Sequence, residues 1–264
     1  MSWHKPSKLV AIVVPLSNRK DLTPDEQISL RHLRHFLGAY DKYMILPQNL
    51  DVQYDDFTLK RFDNSFFGSG RAYSHLMVSP AFYKAFEDYR YILIYHLDAL
   101  VFSDRLKEWC ARDFDCIAPP WIKYDGAPYG GLPIENMAGN GGFSLRKVSS
   151  CLRVLKAVRR PALTPEYARR ILGRRKKIEH TRNEDVFWAL YARKYYTQFN
   201  LAPFEAALQF AFECNPRLCF ERNQRQMPFG CHAWPAYDRA FWEPHLIPES
   251  SSDKAISAEH PDSV

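Results

Sequence analysis

The stretch that most constrains the fold is residues 91–102, which reads YILIYHLDALVF. A short, continuous apolar run such as its first half is typical of a strand buried on both faces of a mostly parallel sheet. His96 and Asp98 interrupt the run before apolar residues resume. Because open α/β sheets bind ligands beyond the carboxyl ends of their strands, Asp98 stands where we expect a binding site.

Asp98 needs a partner, since burying an unpaired carboxylate is costly. One interpretation is structural, with an arginine or the N-terminus of the next helix, predicted to begin near Ser103, as the partner. The other is functional, with a metal–diphosphate or a ribose as the partner. The stretch by itself leaves both interpretations open.

Length and charge narrow the class of protein. The 264 residues are enough for one large domain or two small ones, and 46% of them are apolar, which allows a full core. The net charge of +6 is below that of a dedicated nucleic-acid binder, so no nucleic acid is expected, and it suits an anionic substrate or membrane surface. No apolar run approaches the roughly 20 residues that a membrane span needs.

The cysteines indicate a reducing compartment. They form no CxxC pair, and the N-terminus has no signal-peptide pattern. We therefore expect reduced thiols and a cytoplasmic location. The cysteines are Cys110, Cys116, Cys151, Cys214, Cys219 and Cys231.

The beginning of the chain alternates strand and helix patterns. Residues 8–16 (KLVAIVVPL) predict a buried strand, and Thr23 with Glu26 forms a capping box that starts a helix running to Gly38. A second strand is predicted at residues 43–47. This order indicates an α/β domain with a parallel sheet.

The later segments continue this organisation. Strands are predicted at residues 57–62, 115–119 and 143–146, and helices at residues 80–89, 104–112, 148–158 and 184–195. We predict a single α/β domain at residues 1–248, with a mostly parallel central sheet flanked by helices. The polar, Ser-rich residues 249–264 predict a disordered tail.

Two glycine-rich segments stand out. Residues 121–138 show little periodicity, and a loop of that length is usually a lid or a binding loop. The turn Gly139-Asn140-Gly141-Gly142 follows it. The glycines indicate either a tight turn feeding a strand or a backbone left bare for a sugar or phosphate.

Three charged side chains near predicted element ends each have two interpretations. Glu184 and Asp185 begin a helix, where they either complement its dipole or supply a general base. Adjacent helical residues point about 100° apart, so we expect one of them to act. Arg71 is either a surface residue or a phosphate ligand.

His232 and a basic segment are equally open. His232 is either a hydrogen-bonded core residue or a second metal ligand beside Asp98, because neutral imidazole binds Mn²⁺. The basic segment, residues 159–177 from Arg159 to Lys177, is either a solvated helical face or a contact with anionic lipid or an anionic acceptor.

Four motifs together resemble a known family. HLDALVF after a buried strand, GNGGFSLR, NEDVFWAL on a helix and PFGCHAW near the end are similar to motifs of GT-A glycosyltransferases. They most resemble a bacterial glycosyltransferase-like family catalogued as a domain of unknown function. The resemblance covers roughly residues 9–234, and GNGGFSLR followed by EDVFW is its most specific part.

The resemblance implies a GT-A-like (Rossmann-like) domain that binds a nucleotide-diphospho-sugar. It implies a base of an inverting transfer at Glu184 or Asp185, and a divalent ion, Mn²⁺ or Mg²⁺, held by Asp98 and His232. The residues implied to bind the nucleotide-sugar are Pro15, Asn18, Arg19, Arg71, His96, Asp98, Asn140, Gly141, Gly142 and Phe143.

The chain departs from the family in its acidic motif. The common DxD pattern is incomplete, because His96 or Leu100 stands where the other carboxylate is expected around Asp98. With this departure, the resemblance implies either a metal held by Asp98 and His232 with the phosphates or its replacement by basic groups such as Arg71.

Three functions are compatible with these patterns. The first is transfer of a sugar, with UDP-sugar as the expected donor, to a glycan or lipid-linked acceptor of bacterial surface polysaccharide. The basic segment would then approach the inner face of the membrane. The second is a non-catalytic module that binds a polyanion or a protein partner through that segment. The third is a degenerate transferase that binds the donor without turning it over.

Overall fold

Two sheets carry the site in the computed structural model, which describes residues 6–122, 135–158 and 183–249. Their strands are, in chain order, β1 Lys8–Pro15, β2 Asp41–Pro47, β3 Thr58–Phe62, β4 Tyr89–Tyr95, β5 Leu100–Val101, β6 Cys116–Ile117, β7 Phe143–Lys147, β8 Ala211–Phe212 and β9 Gly230–Cys231.

The larger sheet has the order β3-β2-β1-β4-β7-β6. The first four of these strands are mutually parallel, whereas β7 is antiparallel to both of its neighbours. The interior positions of β1 and β4 are completely buried, as their apolar runs predicted. The predicted α/β fold with a mostly parallel central sheet is confirmed.

The strand order places a binding crevice between β1 and β4. The chain moves outward from β1 to β3 and then returns to the other side of β1 to form β4. The loops that leave the carboxyl ends of β1 and β4 therefore run in opposite directions. Open α/β sheets bind their ligands at this kind of switch point.

The helices surround the larger sheet or cover the smaller one. They are α1 Pro24–Leu37, α2 Gly70–Met77, α3 Pro80–Lys84, α4 Leu106–Ala111, α5 Val148–Val158, α6 Glu184–Val186, α7 Ala192–Tyr195, α8 Phe204–Phe210, α9 Pro216–Arg222 and α10 Arg239–Trp242. A π-helical segment, Phe187–Tyr191, joins α6 to α7, and 3₁₀ turns occur at Asn64–Phe66 and Glu243–His245.

The start of α1 follows its sequence pattern. The Thr23 side chain accepts a hydrogen bond from the backbone of Glu26, and the Glu26 carboxylate accepts one from the backbone of Thr23. The predicted capping box is thus present, with Pro24 in the first turn. This helix packs its buried face toward β5 and the smaller sheet.

The stretch at residues 91–102 belongs to both sheets. It leaves the larger sheet after Tyr95, turns at His96–Asp98, and continues as β5 in a smaller sheet of order β5-β9-β8. Around this sheet lies a second apolar cluster that includes Trp234 and Trp242. The divided stretch therefore fixes Asp98 at the junction of two sheets.

The chain beyond β9 remains structured as far as the described residues extend. Trp242 on α10 is fully buried and stacks on Phe102, with ring centroids 5.5 Å apart. The backbone N–H of Ile247 donates to Nε2 of the buried His32 at 3.0 Å. The end of the described chain is thus attached to α1.

Three predicted features fall wholly or mainly outside the described residues. They are the loop at residues 121–138, apart from its two ends, the basic segment at residues 159–177, and the tail after residue 249. Among the described helices, none is both long enough and apolar enough to cross a membrane.

Candidate functional site

Two adjoining clefts open at the carboxyl ends of β1 and β4. The first, here the strand-end cleft, has a volume of about 700 Å³ and lies between the loop after β1 and the start of α2. The second, here the helix cleft, has a volume of about 580 Å³ and extends from the glycine turn to α6. Gly70, Tyr73 and His96 line both clefts, so the two form a continuous site.

The structure brings together nearly all of the predicted site residues. Those in the strand-end cleft are Pro15, Asn18, Arg19, His96 and Asp98. Those in the helix cleft are Arg71, His96, Asn140, Gly141, Gly142, Glu184, Asp185 and His232. Phe143 is not among them, because it is fully buried and packs against Tyr95, Phe210 and Phe229 below the site.

The strand-end cleft has aromatic and polar walls. Phe66 and Phe67 line it and are half-buried, which offers a planar ligand an apolar surface. Arg19 also lines it, but its guanidinium is paired with Glu26 and donates to the carbonyl of Asp21 at 2.7 Å. The guanidinium of Arg19 therefore binds groups of the protein itself at the rim of this cleft.

Asp98 finds its partner in a histidine rather than in an arginine or a helix end. Its Oδ1 lies 3.3 Å from Nε2 of His232. That oxygen is buried and has no aligned hydrogen bond, although the Asp98 side chain as a whole is 44% exposed. A buried carboxylate oxygen without an aligned donor can accept a hydrogen bond or bind a cation.

The smaller sheet positions His232 beside a second carboxylate. Phe212 and Cys231 are paired on parallel strands, so the residues that follow them, Glu213 and His232, lie side by side. Oε1 of Glu213 is 3.1 Å from Nδ1 of His232. Because a carboxylate accepts hydrogen bonds, Nδ1 carries a proton toward Glu213, while Nε2 faces Asp98.

Asn140 connects this pair to the glycine turn. Its side-chain nitrogen donates to Glu213, and its side-chain oxygen accepts from the backbone N–H of Gly142 at 2.9 Å. The carbonyl of Gly142 in turn accepts from the backbone N–H of His96 at 2.8 Å. One hydrogen-bonded path thus runs from His96 through the turn to Glu213 and His232.

The two histidines of the site have opposite pKa shifts. Burial and the neighbouring His232 lower the pKa of His96 to about 4. Burial opposes a charge on His232 as well, but Asp98 and Glu213 outweigh it and raise the pKa of His232 to about 10. The same pairing lowers the pKa of Asp98 against the effect of burial.

The glycines of the turn are required by close side-chain approach. A Cβ on Gly141 would lie 1.8 Å from Oε1 of Glu184, and one on Gly142 would lie 2.0 Å from Nε2 of His232. No side chain fits at either distance. The turn therefore lacks side chains because Glu184 and His232 pack against it, a reason that neither sequence interpretation included.

The two acidic residues at the start of α6, Glu184 and Asp185, have different surroundings. Glu184 is buried, and its Oε2 lies 2.8 Å from Nη2 of the equally buried Arg146. Burial, opposed by Arg146, raises the pKa of Glu184 to about 7. Asp185 is half-buried, accepts from the backbone N–H of Val186 at 2.7 Å, and has a pKa raised by burial.

Arg71 is the cation best placed to meet a ligand. It lies in the first turn of α2, is exposed, and lines the helix cleft. Within the part of the chain that the structure describes, it has no ion-pair or hydrogen-bond partner. Its guanidinium and the N-terminus of α2 can thus face an anion in the cleft together.

Sequence reasoning missed three residues of the site. Tyr73 lies 2.8 Å from Nε2 of His96, Arg146 holds Glu184, and Glu213 holds His232. Two of them carried a readable signal, since Arg146 is a charge at the end of the predicted strand at residues 143–146 and Glu213 ends an apolar run as Asp98 does. Tyr73 carried none, because its partner is set by tertiary packing.

Residues 56–232 match the family model described as "Protein of unknown function (DUF5672)". This range contains the acidic motif, the glycine turn, α6 and His232. It agrees with the predicted resemblance to a family of unknown function. No curated protein matches the chain.

The chain is also similar to solved glycosyltransferases, as its motifs predicted. It is 11% identical to GlyE of Streptococcus pneumoniae TIGR4, covering 96% of this chain and 64% of that one, with a TM-score of 0.48. It is 12% identical to a glycosyltransferase involved in the glycosylation of the major capsid of PBCV-1, with coverages of 90% and 98% and a TM-score of 0.43. It is 11% identical to the galactosyltransferase LgtC, solved with donor and acceptor sugar analogs, with coverages of 93% and 99% and a TM-score of 0.44.

Proposed function

We propose that this chain, which belongs to the DUF5672 family, is a glycosyltransferase that moves a sugar from a nucleotide-diphospho-sugar to a hydroxyl of a glycan or lipid-linked acceptor. The observation that carries the proposal is the continuity of the two clefts across His96, Asp98 and His232. A nucleotide-sugar has the matching order of parts, with a planar base, a diphosphate and a sugar.

The donor is proposed to lie along both clefts. The nucleoside occupies the strand-end cleft against Phe66 and Phe67, and the sugar occupies the helix cleft below Asn140. The diphosphate lies between them, near Arg71 and the N-terminus of α2. Charge-assisted hydrogen bonds from the guanidinium then stabilise the leaving nucleoside diphosphate.

The residues at the junction of the clefts fit a divalent cation. Asp98 offers a buried oxygen without an aligned donor, and His96, Asp98 and His232 each offer a ligand atom within 4.8 Å of the others. Mn²⁺ or Mg²⁺ held there would supply Lewis-acid stabilisation of the leaving diphosphate. Glu213 and Asn140 hold His232 in the orientation that this binding requires.

Asp185 is the proposed general base. It lines the helix cleft, is half-buried rather than buried, and has no ion-pair partner among the described residues. It accepts the proton of the acceptor hydroxyl as the new bond to the anomeric carbon forms and the bond to the diphosphate breaks. Glu184 is already held by Arg146, so it shapes the sugar end of the cleft.

The remaining parts of the proposal follow the resemblance. The donor is proposed to be a UDP-sugar and the acceptor a component of bacterial surface polysaccharide such as lipopolysaccharide, O-antigen or capsule. The enzyme would then work in the cytoplasm on the inner face of the membrane, with the basic segment at residues 159–177 near the lipid.

A nucleotide-release assay tests the proposal. The full chain is incubated with UDP-, GDP- and dTDP-sugars and with CMP-sugars, and free nucleotide is measured with and without a mixed glycan acceptor. We expect one nucleotide class to be released, and faster with acceptor. Binding without release would indicate a degenerate transferase. Salt-sensitive binding to any polyanion, without nucleotide preference, would indicate the non-catalytic module.

A further inference from the structure

The ligand set at the junction of the clefts is unusual in its chemistry. It contains two imidazoles, from His96 and His232, and a single carboxylate, from Asp98. Hard cations such as Mg²⁺ prefer oxygen ligands, whereas imidazole favours first-row transition ions. The substitution that leaves the DxD pattern incomplete therefore supplies a different ligand rather than none.

The partners of the two rings prepare them for a metal. His232 gives its Nδ1 proton to Glu213, so Nε2, which faces Asp98 at 3.3 Å, is the nitrogen that would bind the ion, the ion taking the place of a proton between Nε2 and Asp98. Nε2 of His96 lies 2.8 Å from the hydroxyl of Tyr73. When Nε2 donates to that hydroxyl, the lone pair of Nδ1 is free. Partners that hold the second ring nitrogen are the usual environment of metal-binding histidines.

The position of the rings is also fixed. The centroids of His96 and His232 are 5.3 Å apart with the rings at 75° to each other, and both side chains are half-buried. Glu213 is itself held by Asn140, and His96 is held through its backbone by Gly142. The three ligands therefore need little rearrangement to meet one ion.

We propose that this site selects a first-row transition ion over Mg²⁺, with His96 as its third protein ligand and with Tyr73 and Glu213 as positioning residues. The proposal deepens the proposed function, because it identifies the ion beside the donor diphosphate. Site affinities for divalent first-row ions rise from Mn²⁺ through Co²⁺, and Zn²⁺ binds more tightly than Mn²⁺. We expect that order here, with Mg²⁺ at least tenfold weaker than Mn²⁺.

Calorimetric titration of the full chain with Mg²⁺, Mn²⁺, Co²⁺ and Zn²⁺, each with and without UDP, measures the order directly. The visible absorption of bound Co²⁺ reports nitrogen ligands independently of catalysis. In His96→Asp, which restores the DxD pattern, we expect Co²⁺ affinity to fall about tenfold or more and the preference over Mg²⁺ to narrow. His75→Asp makes the same change on the exposed face of α2 and should bind as the unaltered chain does.

Glu213→Gln separates positioning from ligation. The amide no longer accepts the Nδ1 proton of His232 with a negative charge, so metal affinity should fall about 10- to 100-fold while the melting temperature and circular dichroism show a folded chain. Unchanged affinity in this variant would exclude the positioning role of Glu213.

The outcomes also distinguish this proposal from the proposed function. Equal affinity for Mg²⁺ and Mn²⁺, no binding of any of the four ions with UDP present, or full transfer activity in a chelator would overturn the metal proposal. The last of these would leave the glycosyltransferase in place. The expected metal order with no release of nucleotide from any sugar nucleotide would support the metal site and overturn the proposed function.

Discussion

At the scale of single residues, Asp185 carries the sharpest prediction. In Asp185→Asn the side chain keeps its shape but can no longer accept a proton, so turnover should fall by about 10²–10⁴-fold. Donor binding, measured by the shift in melting temperature with UDP, should persist because the junction of the clefts is unchanged. Asp51→Asn alters an exposed aspartate outside both clefts and provides the control. Turnover that survives in Asp185→Asn would remove Asp185 from the mechanism.

A substitution at Gly142 tests whether the turn lacks side chains because His232 packs against it. In Gly142→Ala the new methyl group would lie 2.0 Å from Nε2 of His232, so the ring or the turn must move. We expect a loss of about 1–3 kcal/mol in the free energy of unfolding, measured in urea, and a loss of metal binding. Gly70→Ala is the matched control for stability, since a Cβ there meets nothing within 4 Å. Equal losses in the two variants would contradict the packing explanation.

The residues of the site were predictable where the chain supplied a local signal. His96 and Asp98 follow a buried strand, and Glu184 and Asp185 start a helix. The turn is recognisable from its three glycines within four residues. Their partners were not predictable, because Glu213 meets His232 only after two strands of two residues each pair, and such strands show no periodicity. Phe143 was assigned to the sugar pocket from its neighbours, yet it begins a strand that is buried on both faces, and its ring lies in the core.

At the scale of elements, the buried pair Arg146 and Glu184 joins β7 to α6. Both side chains are less than 10% exposed, so removing one partner leaves the other uncompensated in the core. Arg146→Met or Glu184→Leu should each cost about 3–5 kcal/mol in the free energy of unfolding. The double variant should recover much of this loss, because two apolar groups need no partner.

The exposed pair Arg105 and Glu108 is the control for that cycle. Its side chains are 53% and 61% exposed, so the same two changes should couple by less than about 1 kcal/mol. Thermal and urea unfolding of all six single and double variants complete the comparison. Additive losses at Arg146 and Glu184 would show that the buried pair does not join the two elements.

The attachment of the chain end to α1 predicts a pH dependence. Nδ1 of the buried His32 donates to the carbonyl of Val101 at 2.9 Å, and Nε2 accepts from the backbone N–H of Ile247 at 3.0 Å. A second proton would face the N–H of Ile247, and burial lowers the pKa of His32. The folded chain therefore binds fewer protons than the unfolded chain just below pH 6.5, and stability falls as the pH falls.

Replacing the imidazole of His32 should reduce the dependence of the free energy of unfolding on pH. Between about pH 6.5 and pH 5, the free energy of unfolding should fall by up to about 1.4 kcal/mol per pH unit through His32. In His32→Gln the slope should be smaller, although the similarly lowered pKa of His96 keeps part of it. His75→Gln is the control, because His75 is exposed on α2 and is not among the groups that shift the pKa of His32. Equal slopes in all three proteins would show that the attachment does not titrate.

At the scale of the whole molecule, the site exists because two sheets meet. The larger sheet contributes the ends of β1 and β4, and the smaller sheet contributes His232 and Glu213. Most of the larger sheet could be predicted, since β1, β2 and β4 are apolar strands of seven or eight residues and alternate with capped helices. The smaller sheet could not, because its strands β5, β8 and β9 are defined by pairing between distant parts of the chain.

A ligand that occupies both clefts should therefore stabilise the two sheets as one unit. At 100 times its dissociation constant, a nucleoside diphosphate bound only to the folded chain adds about 2.7 kcal/mol to the free energy of unfolding. For a chain of this size, that is a rise of about 5–10 °C in melting temperature. We expect one of UDP, GDP, dTDP and CMP to give this rise in the presence of Mn²⁺, and Asp98→Asn to lose it. A rise that is the same without metal and in Asp98→Asn would place the nucleotide in the strand-end cleft alone. The absence of a rise for all four would mean that the clefts do not bind a nucleotide.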